Sequence, residues 1–186
     1  MRVIGVIGKN GSGKDEVLKY LRDKYDIPFL STGDIVREIA VEEGKEPTRS
    51  NLQAISNRYF KDRGEGCFVQ MTIDKIRSKG WKTAGISGVR SPKDVEILQG
   101  ELGRQFVLIN VSVTDPRVRF ERMLTRGEGR DAKVYEDFLK QDRDEEKLFD
   151  IGKASGRADY SLYNDGPLTD LHKAIDRLVS EKDLLG

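Results

Sequence analysis

Apolar and polar positions along the chain alternate between two periods. Val3-Ile4-Gly5-Val6-Ile7 is a continuous apolar run and predicts a buried strand over 2–8. Val17, Leu18 and Leu21 then recur at helical spacing within 14–24. Ile27-Pro28-Phe29-Leu30 reads as a short second strand, after which Ser31-Thr32-Gly33-Asp34 opens a helix carrying Ile35, Ile39 and Ala40. Thr48, following Pro47, is a good N-cap for a helix through about 62, and another helix is expected over roughly 66–78. Thr83-Ala84-Gly85-Ile86-Ser87 is a third strand, and Pro92 opens a helix over 92–102, where its missing N–H costs nothing. The clearest buried strand runs from Gln105 to Val113 through Phe106, Val107, Leu108, Ile109 and Val111. Pro116 starts a helix over 116–126, and the charged segment 127–150 receives no element. Asp159 to Asn164 is a last strand, and a final helix places Leu168, Leu171, Ile175, Leu178 and Val179 on one side.

Strands alternating with helices specify a parallel sheet covered on both faces. In such sheets ligands bind beyond the carboxyl ends of the strands. The polar motifs of this chain fall at those ends: Gly8–Asp15, Ser31–Asp34, Ser87–Arg90 and Thr114-Asp115 follow the first four strands in turn.

The chain has 186 residues, the size of one domain that buries a core without disulfides or structural metal. Its net charge of +1, with 35% charged residues, lacks the basic excess of a nucleic-acid or membrane surface. Cys67 is the one cysteine, so no disulfide or cysteine metal site is expected, and it reads as buried filler. No stretch reaches the roughly 18 apolar residues of a membrane span. Residues 1–7 run into the glycine loop without a cleavage-site pattern, so they read as a strand, and a cytoplasmic protein is expected.

Gly8-Lys9-Asn10-Gly11-Ser12-Gly13-Lys14-Asp15 lies between a strand and a helix, the context of a phosphate-binding loop. Glycines let successive N–H groups turn inward into an anion-binding nest, which the positive end of the following helix reinforces. Lys14 is a mobile point charge suited to β- and γ-phosphates. The loop ends in Asp15 where the usual motif has Ser or Thr. Asp15 can stabilise the helix dipole, or serve as a hard oxygen ligand for Mg²⁺. Arg37 and Arg90 follow the second and third strands, and their guanidinium forks suit a phosphate in the same crevice.

Phe29-Leu30-Ser31-Thr32-Gly33-Asp34-Ile35-Val36-Arg37 resembles the acceptor-site motif of adenylate kinase and its nucleoside monophosphate kinase relatives. Ile86-Ser87-Gly88-Val89-Arg90-Ser91 resembles that family's Asp-Gly-Phe-Pro-Arg segment, and more closely adenylate-kinase-related and dephospho-CoA-kinase-related proteins, as do Glu46-Pro47-Thr48 and Asn164-Asp165-Gly166. The resemblance covers nearly the whole chain, least clearly 127–158. It implies a three-layer P-loop kinase fold with a five-stranded parallel sheet, ATP as donor, Mg²⁺, and a small-molecule nucleotide acceptor. It further implies that Arg37 and Arg90 hold the acceptor phosphate, that Thr32 and Gly33 line its pocket, and that a helical region over about 33–80 covers it. The place of the lid falls at about 126–150, with Arg126 and Arg130 the foremost clamping arginines and Arg122 and Arg143 next. The loop at Asn164 would lie against the adenine.

Ser87 stands where that family usually has Asp. Asp34 is then the best remaining carboxylate, beside Asp15, for organising Mg²⁺, with Asp115 more distant. A phosphate acceptor is already largely dianionic, with a second pKa of about 6, and needs no general base. No histidine lies near the motifs, and His172, in the last helix, is expected at the surface. A hydroxyl acceptor of the dephospho-CoA type would need Asp34 to take its proton. The leading expectation is therefore a nucleoside or deoxynucleoside monophosphate kinase. A hydroxyl-acceptor kinase and a slowly turning nucleotide-binding regulator remain as alternatives. Composition does not disclose the oligomeric state.

Overall fold

The structure, a computed structural model, describes residues 1–127, 131–182 and 184–185. Five parallel strands form one sheet in the order β2-β3-β1-β4-β5: β1 Arg2–Ile7, β2 Phe29–Ser31, β3 Thr83–Ser87, β4 Phe106–Ser112 and β5 Tyr160–Tyr163. β1 is central, with Val3 paired to Ala84 of β3 on one side and to Phe106 of β4 on the other.

The unbroken apolar run of β1 is explained by burial on both faces. Val3 and Ile7 join Ala84, Ile86 and Leu108 against α4 (Cys67–Ser78), α5 (Pro92–Leu102) and α8 (Ile151–Ser155). Ile4 and Val6 join Val107, Ile109 and Leu162 against α1 (Lys14–Tyr25) and α9 (Leu168–Glu181). Fully burying one such side chain is worth about 1.5–3 kcal/mol, so these two layers carry most of the stability.

Two smaller clusters flank the carboxyl edge of the sheet. α2 (Thr32–Glu42), α3 (Arg49–Arg63) and the start of α4 enclose Ile35, Ile39, Ile55, Cys67 and Phe68. α6 (Pro116–Arg126) and α7 (Tyr135–Phe149) enclose Met123 and Phe138, with Tyr135 stacked on Phe138 and Phe120 edge-on to Tyr135.

Four of the described helices begin on side-chain caps that the sequence supplies. Ser31 accepts from the Gly33 amide, Thr48 from Asn51 and Asp115 from Arg117, and Ser91 forms a capping box with Asp94 ahead of α5. α1 has no such cap: Gly13 precedes it with φ +93°, and no side chain accepts from its first amides.

Three expectations need correction. The charged segment 127–150 contains the helix α7, whose apolar stripe of Tyr135, Phe138 and Leu139 is obscured by surrounding charge, and α8 follows it. β2 begins at Phe29 rather than Ile27, because Pro28 has no N–H for the ladder and only its carbonyl pairs, with the Gly85 amide. His172 is half-buried, stacked on Tyr20 at 3.9 Å between ring centres and within 3.3 Å of Glu16. Cys67 is buried as expected, and burial pushes its thiol pKa up.

Candidate active site

The glycine loop leaves β1 and wraps onto the first turn of α1. Its conformation is fixed from outside by close approach. At Gly13, whose left-handed backbone already disfavours a side chain, an added Cβ would collide with the Asn164 amide. That amide donates to the Ser12 carbonyl at 2.9 Å, and the Asn164 backbone N–H donates to the Ser112 carbonyl. Asn164 is 5% exposed, so the structure places it beneath the loop as a prop.

Lys14 opens α1 beside Asp15, Arg90, Glu145 and Arg126, all close enough to act on its charge. Its amine is held below the ordinary lysine range. Burial is the first cause; Arg90 and Arg126 push the same way, and Asp15 and Glu145 oppose them. Arg90 and Arg126, which lie far apart in sequence, thus converge with the loop lysine. The Arg90 guanidinium lies over the Phe149 ring at 5.5 Å, and Arg126 pairs with Asp131 at 2.9 Å. Arg130 lies outside the described residues.

Next to the glycine loop's strand, β2 and β3 pair Ser31 with Ser87, so the loops that follow them leave the sheet side by side. Thr32 and Gly33 form the first turn of α2, with the Thr32 hydroxyl 3.5 Å from the Gly88 carbonyl. Arg37, one turn further, is paired with Asp34 at 2.5 Å, and both remain half-exposed. Asp15 Oδ1 accepts from the Ser87 hydroxyl at 3.1 Å.

A latch of charge over the glycine loop was not legible in sequence. Arg119 of α6 is 3% exposed and forks onto Asp142 of α7, with Nη1 at 2.7 Å from Oδ1 and Nη2 at 2.9 Å from Oδ2. The same Nη1 donates to the Asn10 carbonyl at 3.0 Å. Lys9 bonds Asp142 at 3.2 Å, and the Asn10 amide bonds Glu145 at 2.7 Å. The side chains of Lys9 and Asn10 thus turn to α7. Burial pushes the Asp142 carboxyl up, but its bonds to Arg119 and the nearby Lys9 outweigh that and hold it low. One signal was available: Arg119 sits four residues before Met123, where an inward-facing apolar residue is expected.

Beyond the latch, Asp165 accepts from the Thr114 backbone N–H at 2.7 Å and from its hydroxyl at 2.9 Å. Arg122 donates to the Gly166 carbonyl at 3.3 Å while its other terminal nitrogen is buried without a partner among the described residues. Ser12 Oγ is likewise buried and unpartnered among them. It faces a cavity of ≈ 340 Å³ between the loop and α8. That cavity is lined by Lys9, Arg119 and Asp142 among others and not by Lys14, Arg90 or Arg126. Among the described residues no group of three or more His, Cys, Asp or Glu side chains could hold a metal alone, and no helix is long and apolar enough to cross a membrane.

A family model described as an AAA domain matches residues 7–138. UPF0200 protein TK1334 of Thermococcus kodakarensis is 35% identical over 182 residues, covering 96% of this chain and 97% of that protein. Among solved structures, a shikimate kinase from Bacteroides thetaiotaomicron superposes with a TM-score of 0.59 at 18% identity over 98% of each chain. A gluconokinase from Sinorhizobium meliloti 1021 superposes with a TM-score of 0.60 at 16% identity, over 98% of this chain and 95% of that one. At such identities the likeness is one of fold. The chain therefore belongs to the UPF0200 family and is built on a P-loop kinase fold, with its AAA domain over residues 7–138.

Proposed function

We propose that the protein moves the γ-phosphoryl group of Mg·ATP to a phosphate acceptor, a nucleoside or deoxynucleoside monophosphate. The observation that carries this reading is the convergence of Arg90 and Arg126 on Lys14, beside strand ends that also deliver Arg37. Phosphoryl transfer depends on positioning and neutralisation of charge rather than on covalent chemistry by the protein. The loop amides and Lys14 hold the donor phosphates. Arg37 takes the acceptor phosphate by exchanging its Asp34 contact for phosphate oxygens, and Arg90 bridges the two halves. Arg126, and by resemblance Arg130, close over the reacting groups from the lid region, about 126–150, while the helices within about 33–80 cover the acceptor.

Mg²⁺ fits the donor set. Asp15 and Ser87 offer hard oxygens at the end of the glycine loop, and Mg²⁺ completes its shell from phosphates and water. When bound, it neutralises charge on the β- and γ-phosphates. Asp34 is less suited to the metal, since its carboxylate is engaged by Arg37.

The same pairing bears on the hydroxyl-acceptor alternative. For that alternative Asp34 would have to leave Arg37 before it could accept a substrate proton. The fold likeness to a shikimate kinase and a gluconokinase still favours including their named substrates in any test. ADP formation is to be measured against AMP, CMP, UMP, GMP, their deoxy forms, dephospho-CoA, shikimate and gluconate. A monophosphate should stimulate ATP consumption, Lys14→Ala should abolish it, and Arg37→Ala should lower acceptor kcat/KM by about 10–100-fold, the loss of a charge-assisted hydrogen bond of about 1.5–3 kcal/mol. Stimulation by a hydroxyl compound alone, dependent on Asp34 and indifferent to Arg37, would replace this reading with the alternative.

A further inference from the structure

We propose that this chain binds the divalent cation of its nucleotide through a transposed pair, Asp15 supplying the carboxylate from the glycine loop and Ser87 the hydroxyl from the end of β3. The inference rests on the Mg·ATP reading above and assigns that site its ligands.

P-loop enzymes usually hold Mg²⁺ between a hydroxyl at the end of the loop and a carboxylate carried elsewhere on the sheet. Here each position is filled by the opposite residue type. Taken singly, each looks like the loss of a ligand. Geometry links them: β1 and β3 are adjacent, with Gly5 paired to Ile86, and Ser87 is the next residue on β3. Its hydroxyl reaches across to donate to Asp15 Oδ1 at 3.1 Å. The crevice therefore keeps one carboxylate and one hydroxyl in mutual contact, with their backbone origins exchanged.

The other carboxylates near the loop are engaged by cations or amides, while Asp15 rests on the Ser87 hydroxyl, with Lys14 near enough for the two charges to act on each other. Asp142 is forked by Arg119 and bonded by Lys9, and Glu146 lies 3.6 Å from Lys9. Asp34 is paired with Arg37, Glu145 accepts both contacts of the Asn10 amide, and Asp115 caps α6. Among the described residues the hydrogen-bond partner of the Asp15 carboxylate is the neutral Ser87 hydroxyl, which orients it without cancelling its charge. A carboxylate one residue past the phosphate-binding lysine repels triphosphate oxygens unless a cation lies between them. An oxygen-seeking ion that keeps phosphate and water in its shell meets that requirement.

The test is calorimetric titration of a non-hydrolysable ATP analogue, with and without Mg²⁺, into wild type, Asp15→Ser, Ser87→Asp and the double exchange. For wild type, Mg²⁺ should tighten binding by about tenfold or more. Asp15→Ser should bind the metal-free analogue more tightly than wild type while losing most of the Mg²⁺ enhancement, a crossover that misfolding does not produce. Ser87→Asp alone should weaken metal-free binding, since a second carboxylate then faces the phosphates. The double exchange should restore the Mg²⁺ enhancement. An enhancement left intact in Asp15→Ser, or unrestored in the double exchange, overturns the proposal and reduces Asp15 to a helix-dipole residue. Wild-type binding that is equally tight with and without Mg²⁺ overturns it while the nucleotide reading stands. Failure of wild type to bind the analogue at all removes both.

Discussion

Lys14 concentrates the residue-scale physics of the site. Burial acts first to lower its pKa, and with Arg90 and Arg126 pushing the same way it prevails over the opposing carboxylates of Asp15 and Glu145. The folded protein thus binds fewer protons than the unfolded chain between the lowered pKa and the ordinary lysine value of about 10.4. Stability gains from rising pH across that alkaline window and not below it. A bound triphosphate reverses the preference by favouring the ammonium. Nucleotide binding within the window should therefore take up a proton, seen as a binding enthalpy that depends on the ionisation enthalpy of the buffer. The dependence should vanish in Lys14→Met; its absence from wild type just below the ordinary lysine value would mean that Lys14 does not meet the phosphates. Residues of this kind were legible because the loop writes its chemistry in local spacing. Arg119, Asp142 and Glu145 were not, because their partners lie as far as 135 residues apart in the chain.

At the scale of elements, α7 is the piece that hydropathy alone concealed. Its apolar stripe is narrow, and its charged positions looked like solvated surface. In the structure, Asp142, Glu145 and Glu146 form a face that holds the glycine loop by Lys9 and Asn10 and holds α6 by Arg119. Removing one partner of a buried pair leaves the other uncompensated. Arg119→Met should cost about 3 kcal/mol, lowering Tm by roughly 6–12 °C for a chain of this size. Adding Asp142→Leu should recover much of that loss, because two apolar residues leave no orphaned charge. The lowered pKa of Asp142 gives the pair a signed pH dependence. Its stabilisation is complete above the ordinary carboxylate pKa of about 3.9 and is lost as pH falls through the lowered value. Urea titrations should show a shallower acid slope in Asp142→Asn. Equal slopes, or an Arg119→Met protein as stable as wild type, would mean that the latch contributes nothing to stability.

At the scale of the whole molecule, hydropathy periods and cap residues were enough to anticipate the parallel sheet, because strands buried on both faces and helices opened by Ser, Thr, Asp and Pro leave strong local signals. The convergence of Arg90 and Arg126 on Lys14 was less legible, since it arises from the crossover that carries the chain from β3 past β1 to β4. In the proposed reading that topology sets a donor half beside an acceptor half, with the helical cluster of α2 and α3 on one flank and α6–α7 on the other. The central claim is that this crevice holds two phosphate groups of two nucleotides at once. Its most direct test is calorimetric titration of a bisubstrate analogue, two nucleosides joined through a polyphosphate, in the presence of Mg²⁺. The account predicts one analogue per chain, bound more tightly than ATP or any monophosphate alone, with affinity lost separately in Lys14→Ala and in Arg37→Ala. An analogue bound no more tightly than ATP, and unaffected by Arg37→Ala, would contradict it.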